Sequence, residues 1–419
     1  MDIRCIIRTV TRIAIGLLFI FSGYVKAIDP IGSEIKFGEY FEAFGVSVLE
    51  SGALFFGILL ATVELIIGLC FLFGLRIKTA SLGAILFMSF MTVLTLILAI
   101  TDAVQDCGCF GDAIKLTNWQ TFYKNLVIMP FVVYTFIERR NYRQIFENKT
   151  EWIIAVFLLL ASSGISIYAY RHLPFIDFMA YKVGTNIPEG MIFPEGAPAD
   201  VYEKSTFIYS KEGKQETFTL DNLPDDTWTY VDSPAPKLLK RGYVPPTKDF
   251  SITSLETGES IHENLFERGG LLIFITSADI NNAKLKNSGT LNELYNYSVD
   301  NNINFMMLSG SSEQANLAYL QKTKAKYPVY ATDATVLKSM ARSNPGIILL
   351  KDNTVLKKWN INDAPSVDGL KDLLSKNPED IIAENYRCSK WTTVFFACIV
   401  FVLFVFFSVK LYCKSSSTR

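Results

Sequence analysis

ALFFGILLATVELIIGLCFLFGL, residues 53–75, is an unbroken apolar run in which Glu64 is the only charged side chain. An α-helix needs about 20 such residues to cross the ~30 Å hydrocarbon core of a bilayer. Comparable runs fall near 13–28, 79–101, 120–137, 152–170 and 392–412, so six transmembrane helices are expected. Hydrophobic residues make up 50% of the 419, which is high for a wholly soluble chain. Between 171 and 390 no such run occurs, and that segment is expected to fold in water. A net charge of -1 leaves no basic footprint for nucleic acid, and two histidines supply no His-rich metal centre.

Lys and Arg near helix ends stay cytoplasmic far more often than they cross. Arg4, Arg8 and Arg12 precede the first span, Arg76 and Lys78 follow the second, and Arg139, Arg140, Arg143 and Lys149 follow the fourth. The loop 29–51 instead carries Asp29, Glu34, Glu39, Glu42 and Glu50 against Lys36, and the loop 102–118 carries three aspartates against Lys115. With Lys410, Lys414 and Arg419 ending the chain, both termini read as cytoplasmic and 171–390 as exported. A cleaved signal peptide is the rival reading of the first helix, but Lys26 interrupts the small-residue site at Val25-Lys26-Ala27 and the apolar core is long.

These patterns divide the chain into a four-helix membrane module (1–138), a cytoplasmic connector (139–150), a fifth span (151–170), a Pro-rich, β-containing extension (171–247), an α/β domain (248–387), a sixth span (388–413) and a tail (414–419). Nine prolines between 174 and 246 exclude long helices there. Within that stretch Thr206-Phe-Ile-Tyr-Ser and Glu216-Thr-Phe-Thr-Leu flank Lys211-Glu-Gly-Lys, a strand, turn and strand pattern. Further on, apolar strands at 271–276, 303–308 and 329–331, and a hairpin around Asp352-Asn353, alternate with amphipathic helices near 283–299, 312–326, 334–342 and 367–375. Strands alternating with helices imply an α/β sheet with crossover connections.

Asp106-Cys107-Gly108-Cys109-Phe110-Gly111-Asp112 carries the sharpest chemical signal. Two cysteines one residue apart can reach disulfide distance, though the small ring makes such a bond strained and comparatively oxidising. One reading is a redox pair at the outer membrane surface. The others are a static turn, or half of a metal site completed by a partner, since an intact zinc site needs four ligands. Cys5, Cys70, Cys388, Cys398 and Cys413 lie in or beside apolar spans and read as packed thiols.

Glu64 lies where an ionised side chain costs about 2.5–3.5 kcal/mol or more. It reads either as a proton acceptor or quinone-contacting group, or as a carboxyl hydrogen-bonded to a neighbouring helix that holds the bundle together. Lys124 enters the fourth helix about five residues from its edge, within reach of Glu64 or free to extend outward to the interface.

Phe21-Ser-Gly-Tyr-Val-Lys-Ala-Ile-Asp-Pro-Ile-Gly32, Glu64-Leu-Ile-Ile-Gly68, and Cys107-Gly-Cys-Phe-Gly111 followed by Trp119 and Lys124-Asn125 together resemble the DoxX-like family that includes the methylamine-utilisation protein MauE. The resemblance covers residues 8–138. It implies a four-helix membrane bundle associated with redox processes; together with the charge distribution, the expected location is a bacterial cytoplasmic (inner) membrane with 171–390 periplasmic. Some relatives are linked to quinone-coupled oxidation or to disulfide formation in partner proteins. No cofactor motif is evident in the residues; a quinone is the class this resemblance admits.

The exported segment resembles thioredoxin-like domains of the TlpA and peroxiredoxin type. Pro246-Thr-Lys-Asp-Phe-Ser-Ile-Thr-Ser-Leu-Glu-Thr-Gly258 looks like their entry strand, and Asn344-Pro345-Gly-Ile-Ile-Leu-Leu-Lys-Asp-Asn353 looks like the segment where a cis-proline precedes a central strand. Where the CxxC of those enzymes would stand, this chain has Asp279 and Asn282. A thiolate is the nucleophile in that chemistry, so neither residue replaces it.

The expected protein is therefore an α-helical membrane bundle, four helices plus two more spans, carrying an exported α/β thioredoxin-like domain. Cys107 and Cys109 are the candidate redox pair and Glu64 the candidate proton or quinone group. Lys26, Lys124, Asp279, Asn282 and Pro345 are candidate binding positions. Two functions stay open: an accessory redox protein relaying electrons between an exported dithiol/disulfide partner and the quinone pool, or assisting maturation of an exported protein; and a non-catalytic scaffold whose thioredoxin-like domain binds an exported client. The partners implied are membrane lipid and that exported protein.

Overall fold

The computed structural model describes residues 3–416 apart from 105, 143, 212, 235, 237 and 241. Arg143 and Arg419 of the orientation argument lie outside the described residues, as do the side chains of Lys410, Cys413 and Lys414.

Helix α1 (Ile3–Ile28) is followed by α2 (Pro30–Ala43), α3 (Ala53–Phe73), α4 (Ile77–Thr101), α5 (Asn118–Ile137) and α6 (Asn148–Arg171). Helices α1 and α3 pack through glycine. A Cβ on Gly23 would meet the Leu65 backbone nitrogen at 2.6 Å, and one on Gly68 would meet the Ile20 nitrogen at 2.6 Å. Such close approach is how helices associate in lipid, where apolar side chains gain nothing by leaving the solvent. Arg12 reaches across from α1 and donates to the Phe71 and Leu72 carbonyls at the C-terminus of α3, where four carbonyls lack helical partners and a cation is favourable. On the far side of α4, Leu86, Phe90, Val93, Ile97 and Ile100 are exposed. Their helical spacing makes a continuous apolar stripe that suits lipid and not water.

Among the described residues, five helices are long and apolar enough to cross a membrane by length and composition: α1, α3 with the turn before it, α4, α6 and the C-terminal helix. The expected fourth span is present as α5, but it is not among those five. Asn118, Gln120, Lys124, Asn125 and Pro130 dilute its apolarity. The expected loop 29–51 is mostly helical. Asp29 caps α2 by accepting from the Gly32 N–H, and Pro30 opens it with a preset φ.

Contacts separate residues Asn186–Phe250 from the rest of the chain. That unit holds β1 (Val201–Tyr202), β2 (Thr206–Lys211), β3 (Lys214–Thr219), β4 (Thr229–Asp232) and β5 (Leu238–Lys240). Strands β3, β2 and β4 form an antiparallel sheet in that order, and β1 pairs with β5. Tyr209, Phe218, Trp228 and Tyr230 make edge-on ring contacts across the sheet. The unit starts at 186 and not at 171, because the intervening residues are tied elsewhere: Lys358 bonds Asp177 at 2.6 Å, and Val355 exchanges backbone bonds with Gly184 and Thr185.

The second sheet contains β6 (Thr253–Ser254), β7 (Leu271–Ser277), β8 (Asn304–Ser309), β9 (Val329–Ala331), β10 (Gly346–Lys351) and β11 (Thr354–Asn360), in the order β11-β10-β7-β8-β9-β6. Strands β7, β8 and β9 run parallel, and β10 is antiparallel to β7 and to β11. Its helices are α7 (His262–Arg268), α8 (Ser288–Asp300), α9 (Glu313–Thr323), α10 (Ala334–Met340) and α11 (Val367–Leu374). The β10/β11 hairpin turns on Asp352 and Asn353, both at positive φ, as a two-residue hairpin turn requires. Helix α8 begins at 288 and not near 283, since the Lys284 N–H is taken by the Asn344 carbonyl and Asn287 is left-handed.

Helix α12 (Pro378–Ser416) is continuous for 39 residues, about 58 Å at 1.5 Å per residue. It runs through the boundary expected at 387/388, so the final span projects well beyond a ~30 Å hydrocarbon core.

Candidate functional site

The glycine contact between α1 and α3 decides which side chains meet inside the bundle. Ser22 and Lys26, one turn apart on α1, face Glu64 on α3. Lys26 Nζ lies 2.7 and 3.0 Å from the two Glu64 carboxylate oxygens, and the Ser22 hydroxyl donates to the same carboxylate at 2.9 Å. All three side chains are buried. A buried ion pair is tolerable only when its remaining hydrogen-bonding capacity is used. Here Lys26 also donates to the Cys109 carbonyl at 2.6 Å and to the Ser22 oxygen at 2.8 Å.

That carbonyl belongs to the loop between α4 and α5. Gly108 (φ 61°) and Gly111 (φ 52°) occupy left-handed conformations that favour glycine, and the Gly111 N–H closes a turn onto the Gly108 carbonyl. The turn brings Cys107 Sγ to 2.8 Å from Cys109 Sγ, with the residues 5% and 8% exposed. Helix α2 holds the beginning of the loop: Lys36 pairs with Asp106 at 3.3 Å, and the Tyr40 hydroxyl donates to the Cys107 carbonyl. A cleft of about 590 Å³ opens over the thiols, walled by Phe37, Tyr40 and Phe41 and reaching Arg342.

The two thiols are not equivalent. The hydrogen bond from Cys107, reinforced by the Lys124 and Lys26 cations against the effect of burial, pulls Cys109 down to about 7. Cys107 is pushed well above its ordinary value by that same hydrogen bond and by burial. The nearby Lys124 and Lys26 cations favour the thiolate of Cys109, the nucleophilic form.

Lys124 neither pairs with Glu64 nor extends outward. Its Nζ sits 4.4 Å from the centre of the Phe110 ring, a cation–π distance. Lys26 takes the carboxylate because α1 lies against α3. Lys124 and Glu64 do share the lining of a cavity of about 30 Å³ with Ser22 and Asn125, enough for a water molecule.

Asp279, Asn282 and Pro345 form a second group. Asn282 donates to the Asp279 carboxylate at 2.7 Å, Asn344 donates to the Asp279 carbonyl at 2.6 Å, and the Asn344-Pro345 peptide is cis. This group does not line the thiol cleft; Arg342, three residues before Pro345, does. Ser22, Lys36, Tyr40 and Arg342 were not singled out from the sequence. For Ser22 a signal existed, in its one-turn spacing from Lys26. Among the described residues no group of three or more His, Cys, Asp or Glu side chains is placed to hold a metal ion.

Residues 203–235 match a family model described as a domain of unknown function, DUF8463. Comparison with curated proteins and with solved structures returns no match. Residues 4–137, which supply Ser22, Lys26, Glu64, Lys124 and both thiols, match the family model described as Methylamine utilisation protein MauE.

Proposed function

We propose that this chain is an integral membrane accessory redox protein in which Cys107 and Cys109 alternate between dithiol and disulfide. The observation that carries the reading is the thiol pair itself: two sulfurs 2.8 Å apart, beside a cleft, with a buried Lys26/Glu64 pair bonded to the same loop. In the proposed cycle an exported partner's dithiol is oxidised to a disulfide while the Cys107/Cys109 disulfide becomes two thiols. Cys109 leaves first as thiolate and Cys107 second, each taking one proton. The apolar, aromatic wall of the cleft fits a quinone, which would accept the two electrons and two protons and restore the protein disulfide. Glu64, Lys26 and the small cavity shared with Lys124 offer these protons a path between the thiols and the quinone.

Both termini are proposed to be cytoplasmic and residues 171–390 periplasmic, in a bacterial inner membrane, on the charge distribution around the spans. The six-stranded sheet is read as thioredoxin-like, supported by parallel β7 and β8 beside antiparallel β10. A second reading, a non-catalytic scaffold that binds an exported client, is favoured by two observations: residues 171–387 contain no cysteine, and Asp279 and Asn282 bond each other.

The deciding test is the redox state of the pair in cells, fixed by acid quench and read by alkylation of the denatured protein. The redox reading expects a mixture of thiol and disulfide that shifts with added oxidant or reductant. It also expects Cys107→Ser with Cys109→Ser to abolish function. Full complementation of a deletion by the double serine variant would sink it in favour of the scaffold.

A further inference from the structure

The α/β region contributes no thiol, yet it touches the thiol loop through one buried side chain. Arg342 has 6% of its side chain exposed. Its Nη2 lies 2.8 Å from Asp112 and 3.0 Å from Asp29, and its Nε lies 3.1 Å from Asp29. The remaining Nη1 donates to the Lys338 carbonyl at 2.9 Å, which anchors the guanidinium to α10. Asp29 is the cap of α2, and Asp112 stands three residues after Cys109. The loop is therefore held at both ends. Lys36 and Tyr40 of α2 grip Asp106 and Cys107, and Arg342 grips Asp112 while joining it to the start of the same helix.

A guanidinium suits this task because its planar fork bonds two acceptors at once in fixed directions, which an ammonium does not. Two thiols on a short glycine-containing turn meet only while that turn is held, so anchoring its ends raises the effective concentration of one sulfur at the other.

We infer that Arg342 is a positioning residue for the thiol pair, and that the cysteine-free α/β region serves as the mount that keeps Cys107 and Cys109 together. This rests on the redox reading above. It assigns to the region a role in thiol chemistry that needs no cysteine of its own.

The test uses the full-length protein in lipid nanodiscs, equilibrated against glutathione buffers, acid-quenched, denatured and alkylated. In that equilibrium two protein thiols become one disulfide as one glutathione disulfide becomes two glutathiones. Arg342→Ala is expected to lower the oxidation constant at least tenfold, equivalent to about 30 mV for a two-electron couple. Arg342→Lys should lose less, since it keeps the charge but not the fork. Asp112→Asn, which preserves volume and serves if Arg342→Ala folds poorly, should shift the constant in the same direction. The Arg342→Ala/Asp112→Asn combination should be no worse than Arg342→Ala alone. A melting temperature taken on the same samples reports general loosening separately. An oxidation constant within twofold of wild type in both single variants would overturn the inference while leaving the redox reading intact. A wild-type pair that no glutathione ratio oxidises would overturn both.

Discussion

Replacing Lys26 with methionine keeps an unbranched side chain one atom shorter and deletes its charge. Lys26 supplies four contacts: two to the Glu64 carboxylate, one to Ser22 and one to the Cys109 carbonyl. In Lys26→Met the carboxylate keeps only the Ser22 hydroxyl. Removing one partner of a buried pair costs about 3–5 kcal/mol, because the other charge stays buried without compensation. At roughly 2–4 °C per kcal/mol, the melting midpoint of the purified protein should fall by roughly 6–20 °C. Adding Glu64→Gln removes the orphaned charge, and the double variant should recover most of the loss. The assay is thermal unfolding of wild type, both single variants and the double variant in one detergent, as a double-mutant cycle. A Lys26→Met midpoint within about 2 °C of wild type, or a double variant no better than Lys26→Met, would refute the argument that this pair is coupled and buried.

The Cys109 thiol, held at about 7, predicts that its modification by a small alkylating reagent rises only about tenfold from pH 6 to pH 8, against roughly 75-fold for a thiol at the reference value of about 8.5; mass mapping of Cys109 at the two pH values checks this, and the steeper dependence would remove the argument for a thiolate there. Gly23→Val should force α1 away from α3, because its Cβ would meet the Leu65 nitrogen at 2.6 Å; a loss of about 1–3 kcal/mol is expected from overpacking, visible as reduced abundance and a lowered melting midpoint, and wild-type behaviour would contradict the close contact. Reporters fused after Lys149 and after Arg419 should behave as cytoplasmic and one near Gly213 as exported; an exported reporter at Lys149 would overturn the proposed helix count and orientation.

The features legible in the sequence are those that local chemistry determines. Length and apolarity mark α1, α3, α4, α6 and α12, since a helix satisfies its own backbone and needs no distant partner to enter lipid. The strand and helix alternation from 271 onward, the hairpin at Asp352 and Asn353 and the proximity of Cys107 to Cys109 follow equally from short-range pattern and spacing. The helicity of 30–43 was hidden because its acidic residues read as a loop, whereas Asp29 and Pro30 supply a local start signal that outweighs them. What the tertiary structure decided are the partners. Glu64 announced by its cost that it needed one, and the sequence offered Lys124 for it; the glycine contact of α1 with α3 selects Lys26 instead. Arg342 meets Asp112 across 230 positions of chain, and nothing in the neighbourhood of either residue encodes that meeting. An ion pair between distant segments exists only after packing has brought their backbones together, so its energy belongs to the fold and not to any stretch of sequence.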